Sequence, residues 1–449
     1  MVALAAGLPT AEQLLSVTNI PGSDAMPTIK IPDTDSTYAL IAFDKKGVER
    51  DDEEGLNDKM SERVLADAAT KQPTNVFLFS HGWKGDVPSA VDQYNRWIGA
   101  MLKLENDMGR LGNPFRPLWI GLHWPSQPFG EETLGGNAFA AETLPQQQLM
   151  EEYIEALGDD SPKVRELIEA IFEQNRVNAG AVTMPPELAK NYRELAQTLG
   201  YKSGGLDSPP DSDGVPFDPL AAFEAAEGAG QAFGDSPIGG GLLSPLRQLS
   251  FWKMKSRARS IGEKGMHNFV ARLQNALPHT RFHLMGHSFG CIVVSSILGG
   301  EGGTDPLPRT VDSLVLVQGA VSLWAYADSI LKTQDTGYFR SMIRRPAVRG
   351  PVVTTRSRHD SAVGVAYPIA VGLALQIDFA AVLPPFGGIG TFGMQGMTDA
   401  QDQPMRVSTE DYSFQEGGIY NLEGSSFIAG HSAIDGPEVA HAIWQAALV

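Results

Sequence analysis

Short, unbroken apolar runs of strand length recur along this chain, and helix-patterned stretches lie between several of them. That alternation restricts the fold more than any other property. The runs are Tyr38–Phe43, Asn75–Phe79, Leu118–His123, Arg281–Met285, Ser313–Gln318, Pro351–Thr355 and Ser425–Ala429. A continuous apolar run suits a strand buried on both faces, whereas a half-wet strand alternates. Helical patterns such as Ala90–Leu104 and Ile261–Leu277 separate them. The expected class is α/β, a doubly wound and mostly parallel sheet with helices on both faces.

Residues 131–250 break the pattern. They hold 20 acidic and 7 basic side chains, a net −13 out of −18 for the whole chain. Three helix-like stretches occur there, Leu144–Leu157, Ser161–Arg176 and Pro185–Leu199, followed by a turn-rich segment from Ser203 to Gly241. The prolines at 162 and 186 stand where helices start. The expected division is a core of residues 36–130 and 251–449, an acidic helical insertion of 131–250, and an unassigned extension of 1–35.

The acidity excludes the basic footprint that nucleic-acid binding requires. A lone cysteine, Cys291, excludes an intramolecular disulfide and a Cys-rich metal cluster, and reads as a buried apolar residue. The N-terminal apolar run has no Lys or Arg before it, and no charge-free run is long enough for a transmembrane helix. A cytoplasmic location is therefore expected. No metal or cofactor is expected either, since the chain lacks a His pair at i, i+4 beside a carboxylate, a Walker loop and a dinucleotide loop.

The chemistry centres on RFHLMGHSFGCIVVSSIL at 281–298, where Gly286-His287-Ser288-Phe289-Gly290 follows an apolar run and precedes a helix-compatible one. A strand, a tight turn and a helix are what a nucleophile elbow needs, with glycines where side chains would collide.

Here the chain resembles the α/β-hydrolase superfamily, over most of its length outside 131–250. It shares Ser80-His81-Gly82-Trp83, Leu122-His123-Trp124-Pro125-Ser126 and the Ser288 motif with a group of actinobacterial-looking, uncharacterised hydrolases. The resemblance implies an oxyanion hole from the amides of Trp83 and Phe289, with no proton-transfer role for His81. It also implies the chain order Ser, acid, His. Asp360, just beyond a strand-like run, is then the acid, with Asp328 and Asp312 as competitors. His431, on a loop before the C-terminal helix, is the base, and His441 and His359 are not. Trp124 and His287 are placed at the substrate.

Two further features lie outside that frame. Six arginines and no acid fall between Arg340 and Arg358, among them Arg344, Arg345, Arg349 and Arg356. They form either a solvated basic face or a dock for the acidic insertion. From Ser361 to Thr398 the only charged residue is Asp378, a composition suited in part to core and in part to an acyl pocket. The expected activity is hydrolysis of carboxylic esters of apolar acyl groups, the substrate a small-molecule or lipid-like ester, with the insertion as a helical cap. A thioesterase or amidase would use the same residues. A catalytically silent binding protein working through its acidic cap is the alternative of a different class.

Overall fold

The computed structural model describes residues 28–44, 47–50, 59–82, 87–126, 146–178, 181, 183–200, 217–220, 222–223, 242–330, 335–344, 347–360 and 387–449. In these residues the chain runs β1 (Ile29–Lys30), β2 (Thr37–Ala42), α1 (Met60–Lys71), β3 (Asn75–Ser80), α2 (Val87–Leu102), α3 (Glu105–Gly109) and β4 (Pro117–His123). Helices α4 (Gln146–Leu157), α5 (Pro162–Val177), α6 (Pro186–Thr198) and α7 (Ser244–Ile261) follow, and a π-turn over Gly262–Met266 leads to α8 (His267–Ala276). Next come β5 (Arg281–His287), α9 (Gly290–Gly299), β6 (Ser313–Val317), α10 (Arg340–Arg344), β7 (Val352–Arg356) and α11 (Ile389–Phe392). Strands β8 (Ala400–Pro404) and β9 (Ile419–Glu423) and helix α12 (Pro437–Leu448) end the chain.

The strands form one sheet in the order β1-β2-β4-β3-β5-β6-β7-β9-β8. Every pairing is parallel except β1 with β2. The class is therefore α/β. Strand β3 has β4 on one side and β5 on the other, so the order reverses there and opens a crevice at the carboxyl ends of β3 and β5. The registers Ser80↔Gly286, His287↔Val317 and Arg356↔Glu423 bring the carboxyl ends of β3, β5, β6, β7 and β9 to one edge.

Both faces of the sheet are covered, as continuous apolar strands require. On one, Val64, Met254, Ala258, Ile261, Phe269 and Val293 pack on Val76, Leu284 and Leu314. On the other, Tyr94, Trp97, Ile443 and Trp444 cover Phe77, Phe79, Met285 and Val315. Gly262 lets the π-turn lie against α9, since a Cβ there would stand 2.4 Å from the Val293 carbonyl oxygen.

Several expected boundaries move. The last strand is Ile419–Glu423, and Ser425–Ala429 is a turn in which Phe427 N–H and Ile428 N–H donate to Gly424 O. The Glu423 carboxylate binds Ser425 N–H and caps the strand there. Strand β8, AQDQP, has no apolar run and lies exposed at the sheet edge. Residues 29–35 are not an extension, because β1 pairs with β2 and Ile31 is fully buried. The boundary after 250 falls inside α7: Leu246 and Leu249 join the cluster made by α4, α5 and α6, while Met254 and Ala258 join the sheet's.

Three of the arginines are paired with acids, Arg358 is exposed, and Arg345 lies outside the described residues. Arg340 binds Asp328 through two nitrogens at 2.9 Å each, Arg349 reaches Asp312 at 2.8 Å and Glu416 at 2.7 Å, and Arg356 faces Asp402 at 3.6 Å. These acids belong to the sheet layer. Among the described residues no helix is long and apolar enough to cross a membrane.

Candidate active site

The turn after β5 is tight because three close approaches leave no room for side chains. A Cβ on Gly286 would lie 2.6 Å from the Gly290 carbonyl carbon, and one on Gly290 would lie 2.2 Å from the Ser80 carbonyl oxygen. Between them Ser288 is held at φ +56°, a left-handed backbone that costs a serine on the order of 1–3 kcal/mol. Its N–H donates to Val317 O at 3.2 Å, fixing the turn to the end of β6. The third approach is from β3: a Cβ on Gly82 would meet the Ser288 Cβ at 2.4 Å.

The expected acid and base meet at this serine. His431 Nδ1 donates to Asp360 Oδ2 at 2.9 Å, and its Nε2 accepts from Ser288 Oγ at 2.8 Å. A carboxylate oxygen only accepts, so the imidazole carries its proton on Nδ1 and turns a lone pair to the serine. Asp360 is fully buried, whereas the His431 side chain is one-fifth exposed. The competing acids are engaged elsewhere, Asp328 with Arg340 and Asp312 with Arg349 and Phe282 N–H.

The loop carrying His431 is pinned from several sides. Ser357 Oγ donates to Ile428 O at 2.7 Å, Arg96 binds Asp435 at 2.7 Å, and His287 Nε2 donates to the His431 carbonyl at 2.9 Å. With Nε2 donating, His287 Nδ1 accepts from the Gln93 amide at 3.2 Å. His287 is thus buried and engaged at both nitrogens, and the expected substrate-binding role does not fit it. It holds the base's backbone instead.

Trp124 is corrected in the same way. It is fully buried, stacks on His81 with the planes 11° apart, and donates its indole N–H to His81 O at 3.2 Å. Its backbone N–H donates to His81 Nε2 at 3.3 Å, which places the ring proton on Nδ1, bound to Gly82 O at 2.7 Å. Burial and the neighbouring His123 push the His81 imidazole down to about 3, so it stays neutral. Tyr94 Oη accepts from His81 N–H at 2.8 Å, and Ser126 Oγ donates to Gly82 O at 2.8 Å. These side chains set the turn that lies against the serine.

Phe289 is the residue before α9, its ring in the core, and its amide follows directly on the serine. Trp83, the other expected oxyanion donor, lies outside the described residues, as does the apolar segment 361–386. Cys291 is buried with its Sγ against Gly286 O at 3.2 Å, and burial pushes its thiol up, away from any thiolate role.

Sequence reasoning missed Gln93, Tyr94, Gln318 and Thr355. Gln318 alone had a signal, as a polar residue at the carboxyl end of an apolar strand. Comparison of the chain with protein-family models, with curated proteins and with solved structures finds no match.

Proposed function

We propose that this chain is a serine hydrolase of the α/β-hydrolase kind that cleaves carboxylic esters of apolar acyl groups. The observation that carries the reading is the unbroken series Asp360–His431–Ser288, at 2.9 and 2.8 Å, on a serine held at positive φ. Sheet order supports it too, since serine, acid and base all follow strands that end at the edge beside the reversal at β3. The helices of 146–198, packed on one another in their own apolar cluster, fit a cap.

The reaction follows from the proton inventory. His431 Nε2 takes the Ser288 hydroxyl proton as Oγ bonds to the ester carbonyl carbon, and the carbonyl electrons move onto oxygen. The resemblance implies the Phe289 and Trp83 amides as donors to that oxyanion, and Phe289 stands at the positive end of a ten-residue helix, which favours negative charge there. Collapse of the intermediate breaks the ester C–O bond, and the imidazolium returns its proton to the departing alkoxide. Water then attacks the acyl-enzyme by the same exchange, and Asp360 stabilises the imidazolium each time.

Labelling with a fluorophosphonate tests the reading, because only an activated serine reacts quickly. One equivalent should attach, at Ser288, and Ser288→Ala should abolish labelling together with ester hydrolysis. A folded wild-type protein that takes up no label would favour the catalytically silent alternative. Turnover of the p-nitrophenyl ester, the thioester and the anilide of one acyl group ranks the three leaving-group classes.

A further inference from the structure

We infer that Gln318 is a positioning residue that, held by Thr355, aims the Asp360 carboxylate at His431; the inference rests on the triad reading above. Gln318 follows β6 directly and is the other fully buried residue near the site at positive φ, +47°. A glutamine gains nothing from that backbone by itself, so the strain persists only because surrounding bonds determine it.

Those bonds form a directed series. Gln318 N–H donates to Thr355 Oγ at 3.0 Å, and the Thr355 hydroxyl donates to Gln318 Oε1 at 3.0 Å. With its oxygen occupied, the amide can present only its NH2 end to the other side. There Nε2 donates to Asp360 Oδ2 at 3.1 Å, the same oxygen that receives the His431 N–H. A flipped amide would put oxygen against carboxylate, so Thr355 decides the orientation.

The backbone packs closely around the pair. Gly390 N–H donates to Gly319 O at 3.0 Å, and a Cβ on Gly390 would stand 2.7 Å from the Gln318 carbonyl carbon and 2.9 Å from Asp360 Oδ2. A buried carboxylate keeps its rotamer through the donors aimed at it. Gln318 supplies one that does not move during the reaction.

The test uses the full chain with Gln318→Leu and Thr355→Val. Three readouts are followed: melting temperature, the rate of fluorophosphonate labelling at Ser288, and the downfield proton resonance of His431 Nδ1–H, identified by its loss in His431→Gln. Gln318→Leu should shift or broaden that resonance and slow labelling about tenfold to a hundredfold, the loss typical of a misplaced catalytic group. Thr355→Val should move both in the same direction by less. If Gln318→Leu lowers the melting temperature but leaves resonance and labelling rate per folded molecule unchanged, Gln318 is merely structural and the inference falls. If wild type takes up no label yet the resonance moves in Gln318→Leu, the hydrolase reading fails while the positioning role stands.

Discussion

Gly82 lies so close to Ser288 that a methyl group on its Cα would come within 2.4 Å of the serine Cβ. Neither side can yield cheaply, since the serine turn is braced by Val317 O and the His81 turn by Tyr94. Gly82→Ala should therefore leave a folded protein in which one turn has shifted. We expect labelling at Ser288 to slow by about a hundredfold, on the scale of a 1 Å displacement at a reacting group. Wild-type labelling kinetics in this variant would show that the two turns are not rigidly opposed.

The two aspartates should separate cleanly. Asp360→Asn ought to lower kcat by about 10⁴, because its amide disturbs the imidazole tautomer that a carboxylate enforces. Asp328→Asn should keep its activity per folded molecule but lose some stability, about 1–2 kcal/mol, as it weakens the bidentate grip on the buried Arg340 guanidinium and leaves Asp399, at 3.2 Å, as its remaining carboxylate. Chemical denaturation and turnover on the same samples check both, and an exchange of the two phenotypes would transfer the acid role to Asp328.

His287→Phe preserves a buried ring and deletes the bond to the His431 carbonyl. Amide hydrogen exchange across residues 425–435 should speed up, and kcat should drop by about tenfold, the smaller end of what loss of orientation costs. Unchanged exchange in that segment would mean the remaining anchors, Ser357 and Arg96, are enough.

Acid should weaken the fold in a defined window. The His81 imidazole is pushed down to about 3 in the native state by burial, from 6.5. Between those values the unfolded chain binds a proton that the folded one refuses, so stability falls as pH drops from about 6.5 towards 3 and levels off below. The full difference is about 5 kcal/mol at 1.36 kcal/mol per unit. His283, also buried and pushed down, adds in the same direction. Urea midpoints taken across that range should decline steadily, and less steeply in His81→Asn; equal slopes in the two proteins would assign the effect elsewhere.

What could be read from the sequence follows burial and period. Strands β3 to β7 were legible because burial on both faces demands continuous apolar runs, and the Ser288 turn because its glycines and flanking elements are local. Asp360 and His431 rested on chain order and a resemblance, and the structure brings both to the serine. Strand β8 was invisible because an edge strand can be polar. Trp124 and His287 were misjudged for one reason: a large polar-tipped ring beside a site looks the same in sequence whether it faces substrate or props up a turn. Gln93 and Gln318 act only through partners such as His287, Thr355 and Asp360, which are distant in sequence, and such pairings have no one-dimensional pattern.

Helix α7 has a consequence for how separable the parts of this chain are. It is 18 residues of unbroken helix, about 27 Å at the standard rise, with its first half in one apolar cluster and its second half in another. An excision of 131–250 would cut through it and leave Phe251 at a raw end where the first four amide N–H groups lose their partners. A graft that moves these helices onto another sheet would have to carry α7 whole, through Ile261, and with it the glycine-dependent π-turn that seats on α9. Interchange of this insertion between related scaffolds is therefore governed by the rotation of a single shared helix, and a loop-to-loop exchange at 250 should give insoluble chimeras where one at 261 or beyond folds.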